Sequence, residues 1–265
     1  MLLIANRYGF PALFTSLDSA PVPTSYSQAS KIAYWQDAMN EELLALEANH
    51  TWDLVPAPDG ASVIGSKWIY SVKVHSDGSL DRYKARLVAQ GYKQEYGIDY
   101  EETFAPVAKM TTVRTLLCIA AARHWPLWQM DVKNAFLHGD LRETVYLKPP
   151  PGYACPPTHV CRLRKALYGL KQAPRAWFDK FRAAILQAGF HQSHSDSSLF
   201  LRWTPKGYTF LLVYVDDMII SGNDIDGIAD LKLYLTRHFR MKDLGPLTYF
   251  LGLEFVRNKS GIRVY

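Results

Sequence analysis

The fold is decided by the stretch FLLVYVDDMII, residues 210–220, in which two adjacent carboxylates interrupt an otherwise apolar run. Such a run predicts two buried β-strands that are joined at Asp216 and Asp217. Carboxylates in this setting are costly unless something neutralises them, and a divalent cation is a suitable partner. The alternative is an ordinary solvated turn, where Asp is common. The local pattern leaves both interpretations open.

A third carboxylate has the same setting. Asp131 follows the stretch Trp128–Met130 and precedes a segment that predicts a short helical turn. If the fold joins it to the acidic pair, the oxygens would suit Mg²⁺, and two such ions roughly 4 Å apart suit in-line phosphoryl transfer. Because successive side chains on a strand point to opposite faces, we expect Asp131 and Asp216 to bind both ions and Asp217 to contribute less directly.

Four motifs occur in the order found in one family of polymerases. YVDD at residues 214–217 resembles the acidic hairpin of reverse transcriptases, and QMDVKNAFLHG at residues 129–139 resembles their first catalytic motif in its copia-type form. LYGLKQAPRAW at residues 167–177 resembles the template and nucleotide motif of that group, and KARLVAQG at residues 84–91 resembles its fingers segment. From about Trp35 to the last residue, the sequence therefore resembles the reverse transcriptase of copia-type LTR retrotransposons.

The resemblance implies an α+β fold. Its main part would be a polymerase palm, a ferredoxin-like antiparallel sheet with helices on one face, and a fingers subdomain would be attached. We expect a loose leader at residues 1–26 and a reverse transcriptase domain at residues 27–265, which opens with an amphipathic helix over 27–49. Within that domain we expect fingers at about residues 50–110 and a palm at about 111–265. Since nothing in the sequence resembles a thumb or a ribonuclease H domain, we expect a fingers–palm fragment.

The resemblance also implies a reaction, RNA-directed and DNA-directed DNA synthesis. A primer 3′-hydroxyl would attack the α-phosphate of a deoxynucleoside triphosphate. Two Mg²⁺ ions, which Mn²⁺ could replace, would be held by Asp131, Asp216, Asp217 and the backbone of Val132. Lys242 stands where the family is proposed to have a general acid for the leaving pyrophosphate. An ordinary surface lysine is the alternative.

Further residues stand at nucleotide-binding positions of the family. Phe136 would lie under the sugar and exclude a 2′-hydroxyl, although a core side chain is the alternative. Lys84 and Arg86, on a predicted hairpin, would contact the triphosphate, because ammonium and guanidinium groups bind phosphate. A solvated hairpin face is the alternative for this pair. The remaining expected contacts are Tyr168, Gly169 and Lys171 for the nucleotide pocket, and Phe250, Leu251 and Gly252 for the primer grip.

Composition sets weaker limits on partners and location. The net charge of +5 suits a polyanion such as an RNA or DNA template–primer. The sequence has no apolar run long enough to span a membrane and no signal peptide. Three cysteines cannot all pair within one chain and fit a reducing compartment, either cytoplasm or nucleus. We expect Cys118 to be buried on an apolar helix face. No oligomeric state is predicted.

A function of another class stays open. The chain could be a catalytically silent remnant of a transposon that at most binds nucleic acid. The presence of all three acids argues against decay of the site. The lack of a thumb argues for it, because affinity for nucleic acid depends steeply on the number of phosphates that a protein neutralises.

Overall fold

The computed structural model describes residues 22–75, 77–258 and 261–265. They form two compact units, one made of the described residues up to Glu42 with Trp68–Arg86, the other of Leu43–Lys67 with Leu87–Tyr265. Most of the expected leader at residues 1–26 lies outside the described residues. The limits given above for the fingers and the palm stay predictions.

The described elements mix helices with mainly antiparallel strands, which confirms the α+β class. The α-helices are α1 (Tyr26–Ala29), α2 (Ala33–Ala48), α3 (Met110–Ala122), α4 (Ala173–Gln187) and α5 (Ile225–Phe239). The strands are β1 (Trp52–Pro56), β2 (Val63–Ile64), β3 (Ser66–Val74), β4 (Leu80–Ala89), β5 (Leu127–Val132), β6 (Tyr146–Leu147), β7 (His159–Leu163), β8 (His191–Gln192), β9 (Leu199–Thr204), β10 (Gly207–Tyr214), β11 (Asp217–Gly222), β12 (Met241–Pro246), β13 (Tyr249–Phe250), β14 (Leu253–Asn258) and β15 (Gly261–Val264). Short 3-10 helices lie at Gly91–Lys93 and Ala135–His138.

The first unit is held by aromatic side chains. Trp35 of α2 is fully buried and meets Tyr70 of β3 edge-on, with ring centroids 5.3 Å apart. Tyr34 stacks on Tyr83 of β4 at 4.1 Å. Since β3 and β4 form a two-stranded sheet, and an isolated hairpin is marginally stable in water, these rings supply the apolar contact that the hairpin needs.

The expected continuous helix over residues 27–49 is interrupted. Ser30 ends α1 by donating its N–H to the Tyr26 carbonyl at 2.8 Å. The Gln36 side chain then donates to the Ser30 carbonyl at 2.6 Å, which takes an acceptor that a continuing helix would use. A new helix, α2, therefore begins at Ala33.

The second unit contains a six-stranded antiparallel sheet in the order β8-β9-β10-β11-β5-β12. On one face, α4 and α5 cover Leu211, Val213, Met218 and Ile220. On the other face, α3 covers Leu212 and Ile219. The expectation of helices on one face only is therefore wrong. The continuous apolar run at residues 210–220 has no polar alternation, so both faces of its strands require cover.

Smaller sheets complete the second unit. One has the order β1-β7-β6-β2, and another has the order β13-β14-β15. Across the part of the chain that the structure describes, we find no helix that is both long and apolar enough to cross a membrane.

Cys118 is exposed, so the expectation that it is buried is wrong. The buried face of α3 consists of Val113, Leu116, Leu117 and Ala120. At 3.6 residues per turn, Cys118 lies two positions beyond Leu116 and points away from that face.

Asp196 ties the start of α3 to the sheet and generates a stability prediction. Its buried carboxylate accepts from Thr112 Oγ1 and Ser198 Oγ, both at 2.6 Å, and from the N–H groups of Lys109 and Ser198, both at 3.0 Å. Burial alone would raise the pKa of Asp196, but these donors together hold it below its ordinary value.

We expect Asp196→Asn to lower the free energy of unfolding at neutral pH by about 1–3 kcal/mol, because an amide cannot accept from all of these donors. Since the pKa of Asp196 is lowered in the folded chain, the difference should be complete above the ordinary Asp pKa of about 3.9 and should shrink as the pH falls through the folded value. Urea unfolding across pH measures it. Asp226→Asn, which changes an exposed carboxylate paired with Lys206, is the control. A loss that does not shrink in acid would contradict the prediction.

Candidate active site

The hairpin of β10 and β11 closes in a two-residue turn, Val215 and Asp216, flanked by the paired residues Tyr214 and Asp217. Val215 has φ +58°. The favoured two-residue hairpin turns need a positive φ at this position, which glycine, asparagine or aspartate usually supplies. A β-branched residue with positive φ is an outlier that costs about 1–3 kcal/mol. The turn that carries the acids is therefore strained.

Asp131 lies beside the acidic pair. It is the register partner of Asp217 across β5 and β11, so the Cα atoms are about 4.5–5.5 Å apart and both side chains point to one face. The Val132 N–H donates to the Asp216 carbonyl at 3.1 Å, which extends the pairing of the strands into the turn. The fold thus brings Asp131 to the adjacent pair Asp216 and Asp217, from which it is far apart in sequence.

The carboxylates interact electrostatically. Asp217 is half-buried, whereas Asp216 is exposed. Burial is the largest effect on the pKa of Asp217 and raises it. The charges of Asp216 and Asp131 raise it further, whereas a 3.4 Å hydrogen bond from Gln129 Nε2 lowers it. The acid directly opposite Asp131 is thus Asp217 rather than Asp216. That Asp131 and Asp216 bind both metal ions, and that Asp217 contributes less directly, stays a prediction.

The chemistry of these residues fits a hard divalent cation. Carboxylate oxygens are the ligands that Mg²⁺ prefers, and a cation would relieve the repulsion that raises the pKa of Asp217. Of the Val132 backbone groups, only the carbonyl oxygen could bind a metal, because the N–H is a donor and donates to the Asp216 carbonyl. Within residues 22–75, 77–258 and 261–265, no group of three or more His, Cys, Asp or Glu side chains is already arranged to hold a metal.

Lys242 lies next to this group. It is exposed and is the register partner of Asp131 across β5 and β12. Four neighbouring strands therefore present Lys242, Asp131, Asp217 and Tyr214 in one row on the same face of the sheet. An ammonium beside carboxylates is placed where it could donate a proton to a bound anion.

The predicted sugar-binding aromatic, Phe136, lies on the 3-10 helix Ala135–His138. It is half-buried against the core, and its ring meets that of Tyr168 edge-on at 5.2 Å. Gly169 has φ +89°, and a Cβ there would lie 2.2 Å from the Ala89 carbonyl oxygen. The close approach that this glycine permits is therefore to the end of β4, where Ala89 N–H also donates to the Tyr168 carbonyl at 2.7 Å.

Lys171 is held within the protein. Its ammonium donates to the Gln94 carbonyl at 3.1 Å and to the Tyr100 hydroxyl at 3.2 Å. It lies 4.7 Å from the centre of the Tyr100 ring. A nucleotide contact by Lys171, which the sequence predicts, would compete with these partners.

Lys84 and Arg86 lie on β4 in the first unit, and both are half-buried. Burial lowers the pKa of Lys84 most, and the nearby charges of Arg86, Arg82 and Lys73 lower it further. A phosphate bound to this basic cluster would relieve the repulsion among its members.

The expected primer-grip residues lie at the turn between β13 and β14. Phe250 is 1% exposed and packs in the core that includes α3. Leu251 and Gly252 form the turn itself, with φ +53° and +83°. Of the three, Gly252 is exposed.

An apolar cavity of about 340 Å³ lies beneath the acidic turn. Its walls include Phe136, Val213 and Val215, together with Trp177 of α4 and the segment 103–107. Packing therefore leaves one side of the turn unfilled.

Comparison with known proteins decides the family. The family described as "Reverse transcriptase (RNA-dependent DNA polymerase)" matches residues 49–265. The chain belongs to this reverse transcriptase family. The resemblance to copia-type elements that the sequence motifs indicate is confirmed.

Three relatives illustrate the similarity. The Retrovirus-related Pol polyprotein from transposon RE1 of Arabidopsis thaliana is 48% identical over 256 residues, which are 96% of this chain and 18% of that polyprotein. The corresponding polyprotein from transposon RE2 of the same plant is 47% identical over 94% of this chain and 17% of its own length. That from transposon TNT 1-94 of Nicotiana tabacum is 44% identical over 86% of this chain and 17% of its own length. This reverse transcriptase chain thus spans less than a fifth of these relatives.

Sequence reasoning missed two residues of the reverse transcriptase site. Gln129 lies two positions before Asp131 on the same strand face, a spacing that the period of two could have revealed. Trp177 ends the motif at residues 167–177, and its indole Nε1–H donates to the Val215 carbonyl at 2.8 Å. Helix α4 comes close to the 3-10 helix because Gly139 has no side chain: a Cβ there would lie 2.6 Å from the Trp177 backbone nitrogen.

We expect Asp217→Asn to raise the free energy of unfolding of this reverse transcriptase chain at pH 7 in metal-free buffer. Because the pKa of Asp217 is raised in the folded chain, the stability that its neutral form contributes is present below the ordinary Asp pKa of about 3.9 and is lost as the pH rises through the folded value. The neutral amide avoids that loss. Urea unfolding at pH 7 and pH 3.5 should show a gain at the first pH and little change at the second. Destabilisation at pH 7 would count against the electrostatic account.

Proposed function

We propose that this chain catalyses template-directed DNA synthesis, adding deoxynucleotides to a primer 3′-hydroxyl on RNA or DNA templates. Membership of the reverse transcriptase family supports the reaction class. The observation that carries the proposal is the register of β5 and β11, because it sets Asp131 opposite Asp217 beside the exposed Asp216. The six-stranded sheet would be the palm, and the β3–β4 hairpin would belong to the fingers.

Asp131, Asp216, Asp217 and the Val132 carbonyl would hold two Mg²⁺ ions, or Mn²⁺ in their place. Bound there, the ions would supply charge stabilisation for the attacking and leaving oxygens of an in-line displacement. Gln129 would fix the orientation of Asp217 by the hydrogen bond that it donates. The acids themselves need no proton transfer for this role, since they act as ionised ligands.

Lysine and arginine side chains of the chain would interact with the phosphates of the nucleotide. The primer 3′-oxygen, whose proton would pass to solvent, would bond to the α-phosphorus as the bond from that phosphorus to the bridging oxygen breaks. The Lys242 ammonium would transfer a proton to the leaving pyrophosphate, in line with its exposed position beside Asp131. Lys84 and Arg86 would contact the triphosphate. Lys171 would contact the nucleotide after exchanging its present partners. The net charge of +5 favours a template–primer. Tyr168 and Gly169 would shape the nucleotide pocket, and Phe250, Leu251 and Gly252 would form the primer grip.

Primer extension with Mg²⁺ tests the proposal. We expect the unmodified chain to extend a primer on an RNA template and Asp216→Asn to reduce the rate by more than about 100-fold, because one preorganised charge is lost. Asp226→Asn, which changes an exposed aspartate on α5, is the matched control and should extend normally. Extension that survives Asp216→Asn would remove the metal assignment. Template–primer binding without extension by any variant would favour the silent remnant.

A second prediction concerns the sugar. If the Phe136 ring excludes a 2′-hydroxyl, Phe136→Val should raise kcat/KM for ribonucleotides relative to deoxynucleotides by at least about tenfold, which corresponds to roughly 1.4 kcal/mol of discrimination. Phe104→Val is a suitable control, since Phe104 lines the same cavity but is 83% exposed. An unchanged ratio in Phe136→Val would assign the ring to the core.

A further inference from the structure

Trp177 makes a directed contact with the acidic turn. Its indole Nε1–H donates to the Val215 carbonyl at 2.8 Å, and the side chain is only 2% exposed. The ring is fixed from two sides, by Phe239 with centroids 5.3 Å apart at an interplanar angle of 89°, and by Phe181 at 5.4 Å. The donor therefore points in one direction, and a buried hydrogen bond of this kind is costly to leave unmade.

The Val215 peptide depends on such a contact because its own conformation is strained. Val215 has φ +58°, a conformation that β-branched residues avoid. On one side the turn faces the apolar cavity, which Val213, Val215 and Trp177 line together. Neither local conformational preference nor close packing on that side keeps the Val215 peptide in place. Strained backbone of this kind persists where the surrounding structure fixes it.

We infer that Trp177 is a positioning residue that holds the Val215 carbonyl and thereby sets the place of the Asp216 carboxylate beside Asp131 and Asp217. The contact acts on the backbone of the turn and touches no reacting atom. Its importance for catalysis rests on the proposed function, whereas its effect on the turn does not.

Hydrogen exchange of the Val132 amide reports the turn directly, because this amide donates to the Asp216 carbonyl at 3.1 Å. In Trp177→Phe, which keeps a ring but removes the donor, we expect its exchange to become about tenfold faster. The Val213 amide, which donates to the Ser198 carbonyl at 3.0 Å, should keep its rate. Equal acceleration of both amides would mean that Trp177 merely stabilises the core, and an unchanged Val132 rate would mean that it holds nothing. Either result overturns the inference.

A matched control separates the lost hydrogen bond from the lost volume. Trp35 is also fully buried, and its indole nitrogen has no hydrogen-bond partner among the described residues. Trp35→Phe makes the same atomic change without removing such a bond, so it should leave the ratio of the Val132 and Val213 exchange rates unaltered. A similar shift in that ratio for both tryptophan variants would overturn the inference.

A second variant tests the strain. Glycine adopts positive φ without steric penalty. In Val215→Gly, the conformation of the turn should therefore depend less on the hydrogen bond from the Trp177 indole. In that background Trp177→Phe should change the Val132 exchange rate by less than about threefold, which gives a non-additive double-mutant cycle. Additive effects would overturn the inference. The cycle also applies if Trp177→Phe is destabilised overall, because the Val213 amide reports global opening.

Primer extension then links the turn to the chemistry. If the proposed function holds, Trp177→Phe should lower kcat by about tenfold while the KM for the deoxynucleotide stays unchanged, because the metal ligands move and the nucleotide contacts do not. A rise in KM alone would overturn the positioning role. If the unmodified chain shows no extension, the proposed function fails, and the exchange experiment still decides whether Trp177 holds the turn.

Discussion

The pairing of β5 with β11 is the contact on which the rest of the structure depends. It joins segments that are far apart in the chain and fixes, in one register, the residues that carry charge and those that fill the core. A shift of one residue would move Asp131 to the opposite face and would turn Met130, now fully buried, toward the acids. Such a shift would bury the Asp131 carboxylate in the core that now holds Met130 and would bring Met130 to the half-exposed end of the strands. The packing of the core thus fixes the strand register that places the three acids.

The acidic residues lie at the edge of the apolar core of the sheet. Asp131 and Asp217 stand at the ends of their strands, at the limit of the apolar core. The half-buried Asp217 experiences both desolvation and the repulsion of its neighbours. A protein seldom keeps three acids so close without a use for them, since each raises the electrostatic free energy of the others. The repulsion that raises the pKa of Asp217 therefore lowers the stability of the free protein at neutral pH.

The apolar run at residues 210–220 was enough to predict the two central strands, and apolar residues also recur at helical spacing along α4 and α5. The stripes Trp177, Phe181 and Ile185, and Ile228, Leu231, Leu235 and Phe239, are all buried. The register of the paired strands was harder to predict, because a period of two does not reveal which residues form the turn. The position of the turn was hard to predict for a further reason: a positive φ is usual for glycine or asparagine, and not for a valine such as Val215. The second covered face of the sheet was not predicted: the apolar run is compatible with cover on both faces, but a run alone does not say where α3 packs.

One glycine outside the acidic group has a wide influence on this site. Gly139 lets the backbone of α4 pass so close that even a methyl group would collide with the peptide at Trp177. Any side chain there would push the helix outward and carry the indole with it. The contact between Trp177 and the acidic turn thus depends on the absence of a side chain at Gly139, and Gly139→Ala would displace the indole without changing any charge.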